Sequence, residues 1–389
     1  MYRADLTHTH YKYTINKNRG KNMIFKTIKL ALWSLFAAGA FALMKAAFAA
    51  PAIVETVYSR TIYPFFTRTI GSLTSETNID IGEILLYLFA AFVISFIVFI
   101  LRAFFKPSGS RLFHFIRRML GLAITLCMLY TLFVVGWGLN YARQPLSESM
   151  NLSIEQYTSD DLANVCALLA EKTNTLRTKV NEDDNGVFTL SSAEKQDMLS
   201  SVAEEYESGA QDFMKLCVSS RVKAVAASEL LSYLETQGIF NPFTYEANVN
   251  THMPDLYFPS TLAHEYAHLQ GFAREDEANF LAWYVLRNSS NANYSYSAYA
   301  LALTYGMNEL YKTGNSRFSE IVSFISDGVI RDLKFNSEYW NKYETDFSQS
   351  ASDIYNIYLK ENGITDGVQS YGRMLDLIIA LNKQGDEAI

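Results

Sequence analysis

Residues 259–280 read PSTLAHEYAHLQGFAREDEANF. His264-Glu265-Tyr266-Ala267-His268 is an H-E-x-x-H pattern. On a helix, residues i and i+4 share a face, so His264 and His268 can reach one metal ion. Zinc is the default, because it accepts nitrogen ligands tetrahedrally and has no redox chemistry. Glu265 follows the first histidine, where it can polarise an attacking water without itself ligating. Ser260 or Thr261 can cap this helix, and Gly271 can end it one turn after His268.

A third protein ligand is needed. A metzincin would place histidine at the sixth position after His268, but Arg274 stands there. The acids that follow are Glu275, Asp276 and Glu277. A second helix starting near Ala273 would put Glu275 and Asn279 on one face with the small Ala278 and Ala282, which permits close helix contact. The spacing Glu275-x-x-x-Asn279 resembles the Glu-x-x-x-Asp segment of gluzincins, whose glutamate is the third zinc ligand. Asn279 would then be an uncharged hydrogen-bond partner for a ligand imidazole. Glu275 and Glu277 both remain candidates, the loser being an acid favoured by the helix dipole.

Working outward, the chain divides by charge. Of its 389 residues 49% are apolar and 19% charged, and the net charge is −7. That average conceals two parts. Residues 1–141 carry 15 Lys/Arg against 5 Asp/Glu, which leaves 18 against 35 for residues 142–389. Opposite charges of about +10 and −17 point to two environments. The apolar fraction excludes a disordered chain, and three cysteines exclude a disulfide scaffold. No basic patch with interleaved aromatics is present, so no nucleic acid partner is expected.

The basic part reads as membrane. Apolar runs at about 30–54, 82–102 and 119–141 approach the roughly 20 residues that cross a bilayer core. Lys45 lies in the first and can snorkel, and Trp137 and Tyr141 close the third as an aromatic belt would. Seven basic residues from Arg3 to Lys29 precede the first run, and Arg102, Lys106, Arg111, Arg117 and Arg118 lie between the other two. The positive-inside rule places both segments in the cytoplasm, and residues 55–80 and everything after about 142 outside. Ala47-Phe48-Ala49 leaves a second reading of the first run open, as a signal peptide after a start at Met23.

The acidic part reads as a helical domain with one extended stretch. Helices are expected at 159–179, after Ser191 (with Glu194 as a capping box), at 221–237, and at 259–271, 273–288, 297–312, 316–330, 336–360 and 367–382. Gly238 should stop the third of these. Residues 239–258, with Pro242 and Pro254, Pro259 just beyond, and many aromatics, suggest one or two strands. Cys166 and Cys217 can pair or remain buried thiols.

The chain resembles a family of uncharacterised bacterial membrane proteins, grouped as a domain of unknown function, that carry a zincin-like site after three N-terminal spans. The matching pieces are Gly138 to Arg143, Asn241-Pro242-Phe243, Glu246-Ala247-Asn248 and His264 through Phe280. Further on come Tyr358-Leu359-Lys360, Asp366-Gly367-Val368 and Ser370-Tyr371-Gly372-Arg373-Met374. The resemblance implies a zinc metallopeptidase without naming its substrate. The expected fold is therefore mainly α: transmembrane helices, then a gluzincin-type α+β domain from 142 with a small sheet and an active-site helix. One Zn²⁺ is the expected cofactor, the bilayer and an extracytoplasmic peptide or protein the expected partners, and the cell membrane the expected location.

In gluzincin-like sites an extended substrate pairs with an edge strand before the zinc helix, and residues 243–250 are the candidate, with Thr244, Glu246 and Asn248 alternating along it. Tyr371, Arg373 and His252 are candidates for steadying an oxyanion. An inactive sensor or scaffold, or a zinc hydrolase of a non-peptide envelope bond, are the alternatives.

Overall fold

The computed structural model describes residues 2–105, 108–216, 221–385 and 389. The molecule is mainly helical and divides into two units, Met1–Ala49 with Ile84–Trp137, and Ala50–Glu83 with Gly138–Ile389.

The first unit holds helices long and apolar enough to cross a membrane. The candidate spans are Met23–Phe48, Ile81–Arg102 and Arg111–Gly136. Two expected boundaries shift. The first span ends at Phe48, because Ala50-Pro51 interrupts the helix. The third lies earlier than 119–141, since the helix continues through its basic N-terminal turns and breaks at Gly136. The segment before the first span belongs to the same helix, which runs from Tyr2 to Phe48.

The second unit contains more chain than the sequence division at 142 assigned to it. Residues 50–83 fold into this unit and are helical over 51–75, where 55–80 were expected only to lie outside between two spans. Glu55, Ser59, Tyr63 and Thr67 are its buried side. Ser59 donates to Asn140 (2.9 Å), and the Tyr63 hydroxyl donates to the Leu269 carbonyl (2.9 Å). Glu55 holds Arg143 in a two-point ion pair, and Arg143 in turn donates to the Gly271 carbonyl (3.2 Å) and stacks on Phe272. Gly271 itself sits at φ +84°, with Tyr63 so close that a β-carbon would meet its ring at 3.1 Å. Arg143→Met leaves the Glu55 carboxylate buried with only Arg60 beside it. It is expected to destabilise this unit by about 3–5 kcal/mol, read by thermal or denaturant unfolding of the full chain.

A small mixed sheet lies next to these helices. Its order is β1 (Lys223–Ala224), β3 (Glu246–Val249), β2 (Gly238–Asn241), with β1–β3 parallel and β2–β3 antiparallel. The expected helix over 221–237 is absent: β1 occupies its start, only Ser228–Tyr233 is helical, and Gly238 opens a strand instead of closing a helix. Lys223 explains the change. Its ammonium reaches Glu246 (2.5 Å) and the carbonyls of Thr74 and Ile79, which holds residue 223 beside β3. Elsewhere the expected pattern recurs in Ser159–Arg177 and in Ser192–Gly209, whose Ser191/Glu194 capping box is formed. The expected helices 316–330 and 336–360 are cut instead as Phe318–Phe324, Asp327–Asn341 and Asp346–Glu361. Cys166 is buried, while Cys217 lies outside the described residues.

Candidate metal centre

Two helices and one turn build the site. Phe258–Leu269, the His264 helix, has Pro259 in its first turn, where a missing N–H costs nothing. Neither Ser260 nor Thr261 caps it, because it starts earlier, at Phe258; Ser260 instead donates to the Tyr257 carbonyl. Gly271 permits the left-handed turn that follows. Glu275–Leu286, the Glu275 helix, then packs back on it.

His264 Nε2 and His268 Nε2 lie 3.1 Å apart, and Glu275 Oε2 lies 3.2 Å from the first and 3.5 Å from the second. The other ring nitrogens are committed. His264 Nδ1 donates to Asn279 Oδ1 (2.8 Å), and His268 Nδ1 donates to the Phe272 carbonyl (2.7 Å). With those protons placed, two imidazole lone pairs and a carboxylate oxygen face one point, which is a set of acceptors with no donor. Bonds of about 2.0–2.1 Å at tetrahedral angles would separate ligand atoms by about 3.3–3.5 Å, so the cluster fits a zinc ion. Buried charge shifts point the same way. Burial opposes ionisation of Glu275, yet His268 and His264 beside it hold its carboxyl well below the usual range. Burial likewise lowers His268, but Glu275 outweighs it and raises the imidazole to about 9. The three groups are arranged to surround positive charge.

Glu265 faces the same region from the His264 helix. It is buried, and burial raises its carboxyl to about 7, the two histidines pulling the other way. Its Oε2 has no hydrogen-bond partner among the described residues. A buried carboxylate oxygen without a donor is unusual and fits a position reserved for water or substrate. Gly238 of β2 lies against it: a β-carbon there would meet Glu265 Oε1 at 2.5 Å and Cγ at 2.6 Å. Gly238→Ala is therefore expected to push the carboxylate aside at a cost of about 1–3 kcal/mol, read by denaturant unfolding of the full chain.

The other candidates separate. Glu277 does not face the histidines; its Oε1 accepts from the Leu146 amide (2.7 Å) and from Arg274 (2.8 Å). Tyr371 lies beside Glu275 and Tyr355, and burial, with the Glu275 charge, holds its phenol well above its ordinary value. His252 lies against the Tyr339 hydroxyl (2.8 Å), and Arg373 pairs with Asp366 (3.3 Å) and Asp276 (3.6 Å). The expected substrate strand is corrected as well. β3 is the middle strand, with both edges paired, and Thr244, Glu246 and Asn248 are buried. Glu246 is tied to Lys223 and accepts from the Gly82 amide (2.8 Å), which makes it a structural anchor. The edge beside the site is β2, where Gly238 touches Glu265 and the Phe240 ring lies 6.5 Å from that of His268.

Sequence reasoning missed Tyr355 and Gly238. Tyr355 donates to Glu275 Oε1 (2.5 Å) from the helix Asp346–Glu361, fixing the oxygen that does not face the histidines. Nothing marks it among 25 tyrosines.

A protein-family model described as "Protein of unknown function (DUF3810)" matches residues 58–379. The chain belongs to this family. The matched region begins inside the helical segment 51–75 and ends near the close of the last helix, Met374–Lys383, so it takes in every residue of the DUF3810 site described above. No curated protein and no solved structure matches the chain.

Proposed function

We propose that this DUF3810 protein is a membrane-anchored zinc metallopeptidase with a zincin-like, gluzincin-type domain on the extracytoplasmic side of the cell membrane. One observation carries the reading: His264, His268 and Glu275 aim three acceptor atoms at one point, beside a buried and unpartnered Glu265 oxygen. A zinc ion held there would act as a Lewis acid on a carbonyl and lower the pKa of water toward neutrality. Glu265 accepts the proton of the attacking water and passes it to the leaving amine. Asn279, the Phe272 carbonyl and Tyr355 keep the three ligand side chains in their orientations. Tyr371, protonated by burial and next to Glu275, is the donor we assign to the developing oxyanion. The outer edge of β2 gives an extended peptide backbone hydrogen bonds that run past Glu265.

A structural or sensing role fits less well, since structural zinc sites close four positions with protein ligands and three converge here among the described residues. The side follows from the basic residues before the first span and between the second and third. The test uses the full chain in detergent, because Ala50–Glu83 is part of the folded unit. It should cleave members of a peptide library, lose that activity to a zinc chelator and regain it with added zinc. A zinc-loaded, folded chain that cleaves no peptide would overturn the peptidase assignment.

A further inference from the structure

Residues 51–75 form a helical segment in which α turns alternate with π turns at Val54–Ile62 and Thr67–Gly71. Its inner side is occupied by the contacts of Glu55, Ser59 and Tyr63 already described. Its outer side carries Ile53, Val57, Ile62, Phe65, Ile70 and Leu73, all exposed, Phe65 by 62% and Leu73 by 68%. The segment's acid, Glu55, is buried, while Arg60 and Arg68 lie on the exposed side. Large apolar residues interspersed with arginine and threonine are the composition of a helix lying in a membrane interface, with the basic side chains reaching toward headgroups. Six large apolar side chains on one face are also more than a solvated domain ordinarily leaves to water.

Covalent continuity says what covers them. The segment begins just after the candidate span Met23–Phe48 and ends just before the candidate span Ile81–Arg102. A chain that leaves a bilayer at residue 48 and re-enters it at residue 81 keeps the helix between them at the surface it left. We propose that the outer face of residues 51–75 lies in the headgroup–acyl boundary of the bilayer, with lipid as its partner. The inner face of the same helix bonds the Leu269 carbonyl at the end of the His264 helix through Tyr63, and the Gly271 carbonyl of the following turn through Glu55 and Arg143. The C-terminal end of that helix is thereby tied to an element resting on the membrane. This inference needs the flanking helices to be spans but does not depend on hydrolysis.

The experiment places a nitroxide singly on the full chain, with the native cysteines replaced, at Val57, Phe65 or Leu73. The chain is reconstituted in phosphatidylcholine–phosphatidylglycerol vesicles. Ile94, exposed in the second span, is the lipid reference, and Lys334, exposed on Asp327–Asn341, is the water reference. Collisions with oxygen and with a water-soluble nickel chelate are compared. The expected result is an oxygen preference at 57, 65 and 73 that matches Ile94 in sign, at a depth of about 5–10 Å, with the opposite preference at Lys334. A nickel preference at 57, 65 and 73 while Ile94 prefers oxygen would overturn the inference alone. A nickel preference at Ile94 would remove the span reading and the inference with it. Protection from both reagents, with spin–spin broadening, would mean that a second copy covers the face, which also overturns it. As a second variant, Phe65→Asp with Leu73→Asp changes only exposed positions. It should leave domain melting in detergent unchanged and reduce the oxygen preference at Val57; an unaltered preference contradicts the proposal.

Discussion

Glu265→Gln is expected to bind zinc as the wild type does and to lose peptide hydrolysis by about 10²–10⁴-fold, the range for removing a general base. The substitution is nearly isosteric and takes away the proton acceptor alone. Glu265 does not belong to the converging trio, and its Oε2 is without a partner among the described residues, so little in the fold should notice the change. The amide removes a carboxylate whose burial is unfavourable, as the upward shift to about 7 records. The domain should be no less stable for it. Parallel measurements of metal content, melting and rate on one preparation separate these effects. Retained activity would take Glu265 out of the chemistry, and lost metal would make it a ligand.

Replacement of the converging groups should act in the opposite order. His264→Ala, His268→Ala and Glu275→Gln are each expected to abolish stoichiometric zinc, because three protein ligands leave no spare. Glu277→Gln, two residues from Glu275, should keep the metal and cost about 1–3 kcal/mol of stability, since its carboxylate serves a buried backbone amide and Arg274. Equilibrium metal binding and denaturant unfolding of the four variants give the contrast directly. Zinc retained in Glu275→Gln and lost in Glu277→Gln would reverse the assignment.

That contrast also marks where sequence reading ran out. His264 and His268 were legible as a pair, because the four-residue spacing dictates a shared face on any helix. Glu275 and Glu277 are about 200° apart around their helix, so one must face inward when the other does not, and the rotation is set by what the second helix packs on. Leu146, 131 positions away, provides the partner that claims Glu277. The sheet failed for a similar reason. Residues 243–250 are expected as an edge by likeness to gluzincin-like sites, whereas the second edge is taken by β1, two residues long and held in place by Lys223 reaching Glu246. Residues 55–80 are expected only as an outside stretch between two spans. Their buried positions follow π turns, whose i→i+5 bonding departs from the 3.6-residue template that sequence scanning applies. The long apolar helices, by contrast, needed only length and composition, and the differences from expectation are confined to their ends.

The central claim is that His264, His268 and Glu275 hold one zinc ion. Metal content together with zinc-edge X-ray absorption on the full chain, purified in detergent without chelators, tests it most directly. About one zinc per chain is expected, with two imidazole nitrogens and light oxygen ligands at about 2.0–2.1 Å. A folded chain that takes up no zinc, or a zinc shell containing sulfur at about 2.3 Å, would contradict it.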